Sequence, residues 1–440
     1  MRRICLTLPT NRACAAMISA ITEEASYAAE HFDVEVYLLV LDSSDEHAYA
    51  EHAKVIAKAP KTPDVVVLHL DETAQRHFLH QVIEHAGVAK PELIAELMLP
   101  ADVSYGACTN RAFLISGALG CQSVHRRDSD SHYQVLEGAK VFPIHHELVS
   151  LGKRAADAAG GVSGTMLDPA HAGKPVVMVG GSFVGELSVD ISEIHERDRD
   201  VYYDVVSLWA PGDASDAEKR DLVDQSFKGA GTDVFTHDHS TLTIVDPMRM
   251  DMCNIGFFQV HEDIPLPPAT NTIGSDYFLI HVVRDSALPG VLHNRNIVNF
   301  HTDERKTDAG FIAYQLRLTK FFLSMLYFHF VYQEMAAAGG SLLDGQHRIR
   351  AAKILELVRE STWLSKEENV QRLDGLERAY RRLGGRYAAF ADVLTSRRRV
   401  LLEEAQRDIE DFAVLIEAWE SLVRASRAVG IDPSAAQVEA

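Results

Sequence analysis

Two aspartates one residue apart, Asp128 and Asp130, are the residues of this 440-residue chain whose type and spacing point most directly to chemistry. They follow a short apolar stretch and a pair of arginines. Carboxylate oxygens are the ligands that Mg²⁺ and Mn²⁺ prefer, and a cation held there could neutralise a diphosphate. Most Asp-x-Asp tripeptides are solvent-exposed turns or helix caps, so the position of this pair in the fold has to decide between the two interpretations.

The first 130 residues alternate apolar, strand-like runs with helical stretches. The predicted strands cover 4–8, 34–41, 65–70 and 121–125. This alternation predicts a parallel sheet with helices on its faces, and such sheets bind ligands at the carboxyl ends of their strands. The residues at the first three of those ends are Pro9, Thr10, Asn11, Arg12, Asp42, Ser43 and Asp71, and the fourth strand runs into Asp128 and Asp130.

The rest of the chain divides into an irregular middle and a helical end. Residues 131–250 contain loop signals and predicted strands at 176–179, 201–208 and 242–245. From about residue 310 the apolar period becomes helical, with one helix over 311–338 and a stretch free of Gly and Pro over 386–429. The expected fold class is therefore an α/β, mostly parallel sheet flanked by helices and followed by an all-α domain.

Charge and cysteine content exclude several classes of protein. The net charge is −20, and residues 310–440 are balanced, so the excess of acid lies in 1–309. That charge disfavours binding to nucleic acid. Five widely spaced cysteines without a Cys-x-x-Cys pair indicate reduced thiols. No apolar stretch reaches the ~20 residues of a membrane helix, and Pro9 ends the first apolar run early. We therefore expect a cytoplasmic protein.

Four stretches, in order, resemble nucleotide-sugar glycosyltransferases of the GT-A fold. They are ICLTLPTNR at 4–12, VEVYLLVLDSSD at 34–45, GACTNRAFLISGALG at 106–120 and CQSVHRRDSD at 121–130. The resemblance implies a GT-A-like (Rossmann-type) sheet with the metal motif at Asp128 and Asp130. It also implies nucleotide contacts from residues 9–12, an acid near the base or ribose at Asp42, and a helical pair at Asn110 and Arg111.

Two later stretches resemble the acceptor side of the same family. They are CNIGFFQV at 253–260 and the segment 274–306 that begins GSDYFLIH. The resemblance implies that Asp276 is the acceptor-side acid and that His301 is a third metal ligand or a phosphate contact. The family usually has an acid where this chain has Ser275. Alternatively, Asp276 caps the following helix and His301 is a buried histidine.

A physical argument for the same chemistry starts from the leaving group. Breaking a sugar–phosphate bond requires stabilisation of a departing nucleoside diphosphate, which a cation on the aspartate pair would provide. Four basic side chains are candidates for charge-assisted contacts with the phosphates: Arg111, Arg127, Arg305 and Lys306. An acceptor hydroxyl needs a general base, for which Asp276 is the candidate, whereas a thiol or thione needs little such help.

These observations predict a glycosyltransferase that uses Mg²⁺ or Mn²⁺ and a GDP- or UDP-sugar. The expected domains are a catalytic domain at 1–309 and a helical domain at 310–440. The first comprises a nucleotide-binding part at 1–130, an insertion at 131–250 and an acceptor-side part at 251–309. The helical domain is expected to pack on the catalytic domain, to close the acceptor site or to mediate a homodimer.

The acceptor is expected to be a small molecule of specialised metabolism, such as antibiotic biosynthesis. The chain is also similar to the S-glycosyltransferases of lincosamide pathways, which implies a thiol or thione acceptor such as ergothioneine. A sugar nucleotidyltransferase is an alternative, although it should carry a glycine-rich loop where this chain has residues 9–12. A non-catalytic nucleotide-binding or scaffold protein is the other alternative.

Overall fold

The computed structural model describes residues 1–300 and 307–431. Its strands are β1 (Arg2–Thr10), β2 (Val34–Asp42), β3 (Val65–Leu70), β4 (Ser123–Arg127), β5 (Ser131–Tyr133), β6 (Val135–Leu136), β7 (Ala139–Lys140), β8 (Gly164–Thr165), β9 (Met178–Gly180), β10 (Phe183–Gly185), β11 (Ser240–Thr243), β12 (Asn254–Phe258), β13 (Gly290–His293) and β14 (Ile297–Asn299).

The helices cover the sheet and form the C-terminal part. They are α1 (Ala15–His31), α2 (Glu46–Lys58), α3 (Glu72–Ala86), α4 (Pro91–Met98), α5 (Tyr105–Ala118), α6 (Ile144–Ser150), α7 (Ala155–Ala158), α8 (Ser192–Arg197), α9 (Arg199–Val206), α10 (Asp216–Gln225), α11 (Val260–Asp263), α12 (Phe278–Asp285), α13 (Asp308–Ala338), α14 (Ala351–Ser361), α15 (Glu367–Leu383) and α16 (Gly385–Val429).

Nine strands of the described residues form the central sheet, in the order β3-β2-β1-β4-β12-β9-β13-β11-β8. The strands from β3 to β4 are all parallel, and β12 runs antiparallel to both of its neighbours. β9 and β13 are parallel again. The predicted fold class, a mostly parallel α/β sheet flanked by helices with an all-α C-terminal part, is therefore confirmed.

The central strand β1 is buried on both faces because helices cover both sides of the sheet. Ile4, Leu6 and Leu8 belong to a core shared with α1, whereas Cys5 points into a larger core on the other face. Such two-sided burial is typical of parallel strands and explains why their sequences are almost continuously apolar.

The acids that follow β2 and β3 differ from those that follow β4. Asp45 and Asp71 cap α2 and α3, because their carboxylates accept hydrogen bonds from the N–H groups of Ala48 and Ala74. No helix follows β4: residues 128–130 lead directly into β5 of a small second sheet, β10-β14-β5. The helix-cap interpretation of Asp128 and Asp130 is therefore excluded.

The C-terminal helices share a core with the sheet. α16 has 45 residues, which corresponds to about 68 Å at 1.5 Å per residue, and it packs on α3 and α5 as well as on α13–α15. Its fully buried Trp419 donates a hydrogen bond to the carbonyl of His261 (3.1 Å). One hydrophobic cluster runs through both parts, and the division into two domains stays a prediction.

One element of the middle region was predicted wrongly. Residues 201–208, predicted as a strand, lie mostly in helix α9. Its buried residues Val201, Tyr202, Val205 and Val206 recur at a helical spacing, and Asp198 caps its first turn.

Two simpler expectations concern cysteines and membrane helices. All five cysteines are free thiols. Within the described residues, no helix combines the length and the apolar character that crossing a bilayer requires.

Candidate active site

A cavity of about 360 Å³ lies where β4 ends. The loop 128–130 contributes Asp128 and Asp130, and the segment before β12 contributes Asp251. The turn before α12 contributes Asp276, and α13 supplies part of another wall. The sheet topology brings these segments together because β1, β4 and β12 are neighbours.

Arg126 links two acids of this cavity that are far apart in the sequence. Its Nη2 lies 3.0 Å from Oδ1 of Asp128 and its Nη1 lies 3.1 Å from Oδ2 of Asp276. The side chain is almost fully buried, and neither Nε nor Nη1 makes a hydrogen bond among the described residues. The contact of Nη1 with Asp276 is therefore an ion pair. Burial alone would lower the pKa of Arg126, but the two carboxylates outweigh it and raise that pKa. The guanidinium therefore stays charged and holds both acids in position.

The ionisation of Asp128 is strongly affected by its surroundings. Burial raises its pKa to about 7, the charge of Arg126 opposes that shift, and the charges of Asp130, Asp276 and Asp251 add to it. The pKa of Asp276 is also raised, first by burial and then by Asp251, against the effect of Arg126. The cluster therefore holds more negative charge than Arg126 compensates.

Asp130 is tied to the end of the first strand. Nη1 of Arg12 lies 3.1 Å from Oδ2 of Asp130, and both side chains are about one-fifth exposed. Arg12 is itself oriented by a local turn, in which its backbone N–H donates to Oγ1 of Thr10 (3.3 Å). The structure thus places Asp128, Asp130 and Asp276 around one cavity and Arg12 in contact with Asp130. Their roles in binding and catalysis stay a prediction.

The residues of the cavity fit a hard divalent cation. Arg126 engages Oδ1 of Asp128 and Arg12 engages Oδ2 of Asp130. The second oxygen of each carboxylate has no side-chain partner among the described residues. Crowded carboxylates with a raised pKa gain most from a bound cation, since it offsets their mutual repulsion. Nevertheless, the pair does not belong to a compact group of three ligands in the described part of the chain.

Sequence reasoning missed Asp251 and Tyr277. The Tyr277 hydroxyl donates to Oδ2 of Asp251, and the backbone N–H of Cys253 donates to Oδ1 (2.9 Å). Burial and Asp251 raise the pKa of Tyr277, so its hydroxyl remains a donor. The sequence feature that could have identified Asp251 is the apolar strand that begins just after it. Because β12 runs antiparallel to β4, the start of β12 lies at the same edge of the sheet as the end of β4.

Both carboxylate oxygens of Asp42 already accept two hydrogen bonds each, so neither is available to a ligand. Its Oδ2 accepts hydrogen bonds from His52 Nδ1 (2.7 Å) and His69 Nε2 (2.8 Å), and its Oδ1 accepts two from Ser44. Burial opposes the charged form of Asp42, but these hydrogen bonds outweigh it and lower the pKa. Asp42 is 1% exposed and is not among the residues that line the cavity.

The ligand atoms of Asp42, His52 and His69 lie within 4.8 Å of one another, a spacing that could hold a metal ion. The hydrogen bonds argue against one. The backbone N–H of Cys14 donates to Nε2 of His52 (2.9 Å), so the ring proton sits on Nδ1 and points at Asp42. That nitrogen has no lone pair for a metal, and the group is a hydrogen-bonded cluster.

Three further residues expected to contact the nucleotide lie in the interior. Asn110 exchanges two hydrogen bonds of 2.8 Å with the backbone of Leu266. Arg111 donates to Gln75 (2.8 Å) and to the carbonyl of Met98. Arg127 is fully buried between Glu24 and Glu147. None of them is among the described residues that line the cavity.

Three other predicted site residues lie beside Arg12 and are not among the described residues that line the cavity. Asn11 is exposed, and Pro9 and Thr10 end β1 next to Arg12. His301, Arg305 and Lys306 lie outside the described residues.

Gly274 lies between the acidic part of the cavity and its apolar part. Gly274 adopts a left-handed conformation (φ +74°), and a Cβ there would approach the ring of Phe321 on α13 to 3.0 Å. The turn that carries Asp276 therefore packs directly against α13. The C-terminal part thus contributes to the wall of the cavity, which is one of the roles expected from the sequence.

Comparisons with known proteins place the whole chain in a family but assign no activity. A protein-family model described as "Family of unknown function (DUF6271)" matches residues 2–435. No curated protein sequence matches the chain. Among solved structures, it is similar to the mannosyltransferase PcManGT from Pyrobaculum calidifontis, in complex with GDP-Man and Mn²⁺. The identity is 12% and the TM-score 0.35, with 95% of this chain and 88% of that chain covered. A match this distant says nothing about the activity of this chain, so its function has to be inferred from its own residues.

Proposed function

Because the chain belongs to a family of unknown function, DUF6271, we propose its activity from its own residues: it transfers a glycosyl group from a nucleoside diphosphate sugar to a small-molecule acceptor. The observation that supports this proposal best is the position of Asp128 and Asp130. They end a central strand, cap no helix and face a cavity shared with Arg126 and Asp276.

The donor side of the site would stabilise the departing diphosphate. A Mg²⁺ or Mn²⁺ ion held by Asp128 and Asp130 would act as a Lewis acid toward the diphosphate oxygens. Arg12 keeps Asp130 in place at the end of β1. Arg126 holds Asp128 from the buried side, so the pair is preorganised before the donor binds.

The acceptor side needs a base, and Asp276 is the proposed one. Its carboxylate takes the proton of an acceptor hydroxyl while that oxygen bonds to the anomeric carbon and the bond from that carbon to the phosphate oxygen breaks. A carboxylate with a raised pKa is a better base near neutral pH than an ordinary aspartate. Arg126 orients it.

The identities of the nucleotide, the cation and the acceptor are proposed in the same way. GDP and UDP are the two nucleotides to test, and Mg²⁺ and Mn²⁺ the two cations. A thiol or thione such as ergothioneine, from specialised metabolism, would need little help from Asp276 because sulfur is intrinsically nucleophilic.

Calorimetric titration with GDP and with UDP, with and without Mn²⁺, tests the core of the proposal. We expect metal-dependent binding of one nucleotide and at least a tenfold loss in Asp130→Ala. Asp71→Asn is the matched control, because Asp71 also follows a strand of the sheet but caps a helix, a role that asparagine can fill. Equal binding by wild type and Asp130→Ala would contradict the proposal.

Transfer itself needs a second readout. Release of diphosphate from a nucleotide sugar, in slow hydrolysis without any acceptor, would separate an enzyme from a protein that only binds nucleotides. A pure binding or scaffold protein would release none.

A further inference from the structure

An aromatic cluster forms one wall of the cavity. Trp209 and Phe227 stack with ring centroids 5.2 Å apart and an interplanar angle of 16°, and Phe321 meets Trp209 edge-on at 5.4 Å. All three line the cavity. Trp209 follows α9, Phe227 follows α10 and Phe321 lies on α13, so three distant segments converge to build this wall. Flat, rigid side chains of this kind favour ligands that carry a ring.

Methionines extend the apolar surface. Met248, Met250 and Met252 come from the segment before β12, and Met325 comes from α13. Methionine side chains are flexible and polarisable and adapt to irregular apolar shapes. A saccharide would instead need a dense set of hydrogen-bond partners, which this wall does not offer.

The charge of the lining opposes an anionic acceptor. Five carboxylates line the described part of the cavity, against two guanidiniums, Arg126 and Arg284. Arg126 is already paired with Asp128 and Asp276. Burial lowers the pKa of His281 and of His329 to about 3, so neither imidazole adds positive charge at neutral pH. A carboxylate or phosphate on the acceptor would therefore be repelled.

We propose that the acceptor carries a flat apolar ring and no net negative charge, and that its ring lies against Trp209, Phe227 and Phe321. This inference rests on the proposed glycosyl transfer, in which the nucleophile of the acceptor has to reach Asp276. Gly274 and Phe321 connect the two regions directly, so one small molecule can contact both.

Three probes separate ring, charge and saccharide recognition. They are 2-naphthalenemethanol, 2-naphthoate, which has the same ring with a carboxylate, and methyl α-mannoside. By equilibrium dialysis, we expect the alcohol to bind at least tenfold more tightly than the naphthoate. We expect the mannoside to compete poorly, and saturating GDP or UDP with Mn²⁺ to leave the alcohol bound. Preferred binding of naphthoate, strong competition by the mannoside, or displacement by the nucleotide would overturn the inference.

Substitutions in the wall test whether the naphthyl ring binds inside the cavity. Trp209→Ala should weaken binding of 2-naphthalenemethanol at least tenfold, and Trp209→Phe should restore it to within about threefold. Trp363→Ala is the matched control, because Trp363 is 88% exposed and lies outside the cavity. Should Trp209→Ala fail to fold, Met248→Asp at a half-buried position of the wall should give the same loss. Unchanged binding in the folded variants would overturn the inference.

Nucleotide titration of the same samples distinguishes this inference from the proposed function. If the wild type binds nucleotide with Mn²⁺ but does not bind the naphthyl alcohol, the acceptor inference is wrong and the proposed function stands. If the alcohol binds in a Trp209-dependent manner and no nucleotide binds, glycosyl transfer is wrong and the wall is a ring-binding site for another reaction.

Discussion

Arg126 and Asp276 form a buried ion pair, with 3.1 Å between Nη1 and Oδ2, although 150 positions separate them in the chain. The same guanidinium holds Asp128 from its other terminal nitrogen. This arrangement connects the end of β4, where a diphosphate would lie, to the turn before α12, where an acceptor would be deprotonated. It makes Arg126 a positioning residue for both halves of the proposed reaction.

We expect Arg126→Gln to impair both halves. Removing the guanidinium leaves the buried Asp276 and the partly buried Asp128 without their partner, which typically costs about 3 kcal/mol. It also lets both side chains move. Urea unfolding should show the lower stability, and nucleotide titration with Mn²⁺ should show at least tenfold weaker binding. Arg126→Lys should recover part of the stability, because it restores the charge without the bidentate geometry. Full nucleotide binding by Arg126→Gln would contradict this role.

Asp276→Asn should separate chemistry from binding. The amide keeps the size of the side chain but cannot accept a proton, so transfer to a hydroxyl acceptor should fall at least 100-fold. Metal-dependent nucleotide binding should stay within about threefold of the wild type. Transfer to a thiol acceptor should fall much less. Equal losses for both acceptor types would indicate a structural effect.

The pKa of Asp128, which burial raises to about 7 from an ordinary value of 3.8, predicts how stability depends on pH. Between these two values the folded protein retains a proton that the unfolded chain has lost, so the free energy of unfolding falls as pH rises from about 4 to about 7. Asp128→Asn removes this penalty. In EDTA, it should be more stable than the wild type by about 2 kcal/mol at pH 8, with allowance for partial exposure.

Denaturant unfolding at two pH values tests this expectation. The advantage of Asp128→Asn should be small near pH 4 and should vanish near pH 3, where most of the wild-type carboxyl is protonated in both states. Adding Mn²⁺ at pH 8 should stabilise the wild type and not the variant. A variant that is less stable than the wild type at pH 8 in EDTA would show that Arg126 offsets the burial of Asp128 completely.

Arg127 should matter for stability alone. It is fully buried and pairs with Glu24 (2.8 Å) and Glu147 (3.1 Å), so Arg127→Met leaves two carboxylates uncompensated in the core. We expect a loss of about 3–5 kcal/mol in the free energy of unfolding. Arg399→Met is the control: its pair with Glu403 is largely exposed, and its removal should change stability by less than about 1 kcal/mol. A small effect at Arg127 would mean that water reaches these carboxylates.

The contrast between Arg126 and Arg127 shows where local information ends. Successive side chains of a strand point to opposite faces, so one arginine of the pair had to face the cavity and the other the core. The sequence signalled the pair and the two aspartates after it. The face of β4 that points toward the cavity depends on how β4 packs between β1 and β12. That packing places Arg126, and not Arg127, in the lining of the cavity.

The sequence by itself determined the alternation of strands and helices, the long C-terminal helices and the position of Asp128 and Asp130 at a strand end. The spacing of apolar residues and the residues that form turns depend on short stretches of chain, so the sequence shows them directly. Tertiary structure decided that Asp42 is hydrogen-bonded to two histidines and that Asp251 belongs to the acidic cluster. It also decided that Trp209, Phe227 and Phe321 form one wall. Those contacts join residues from 10 to more than a hundred positions apart in the chain. They arise only when the helices and the sheet pack on a common core.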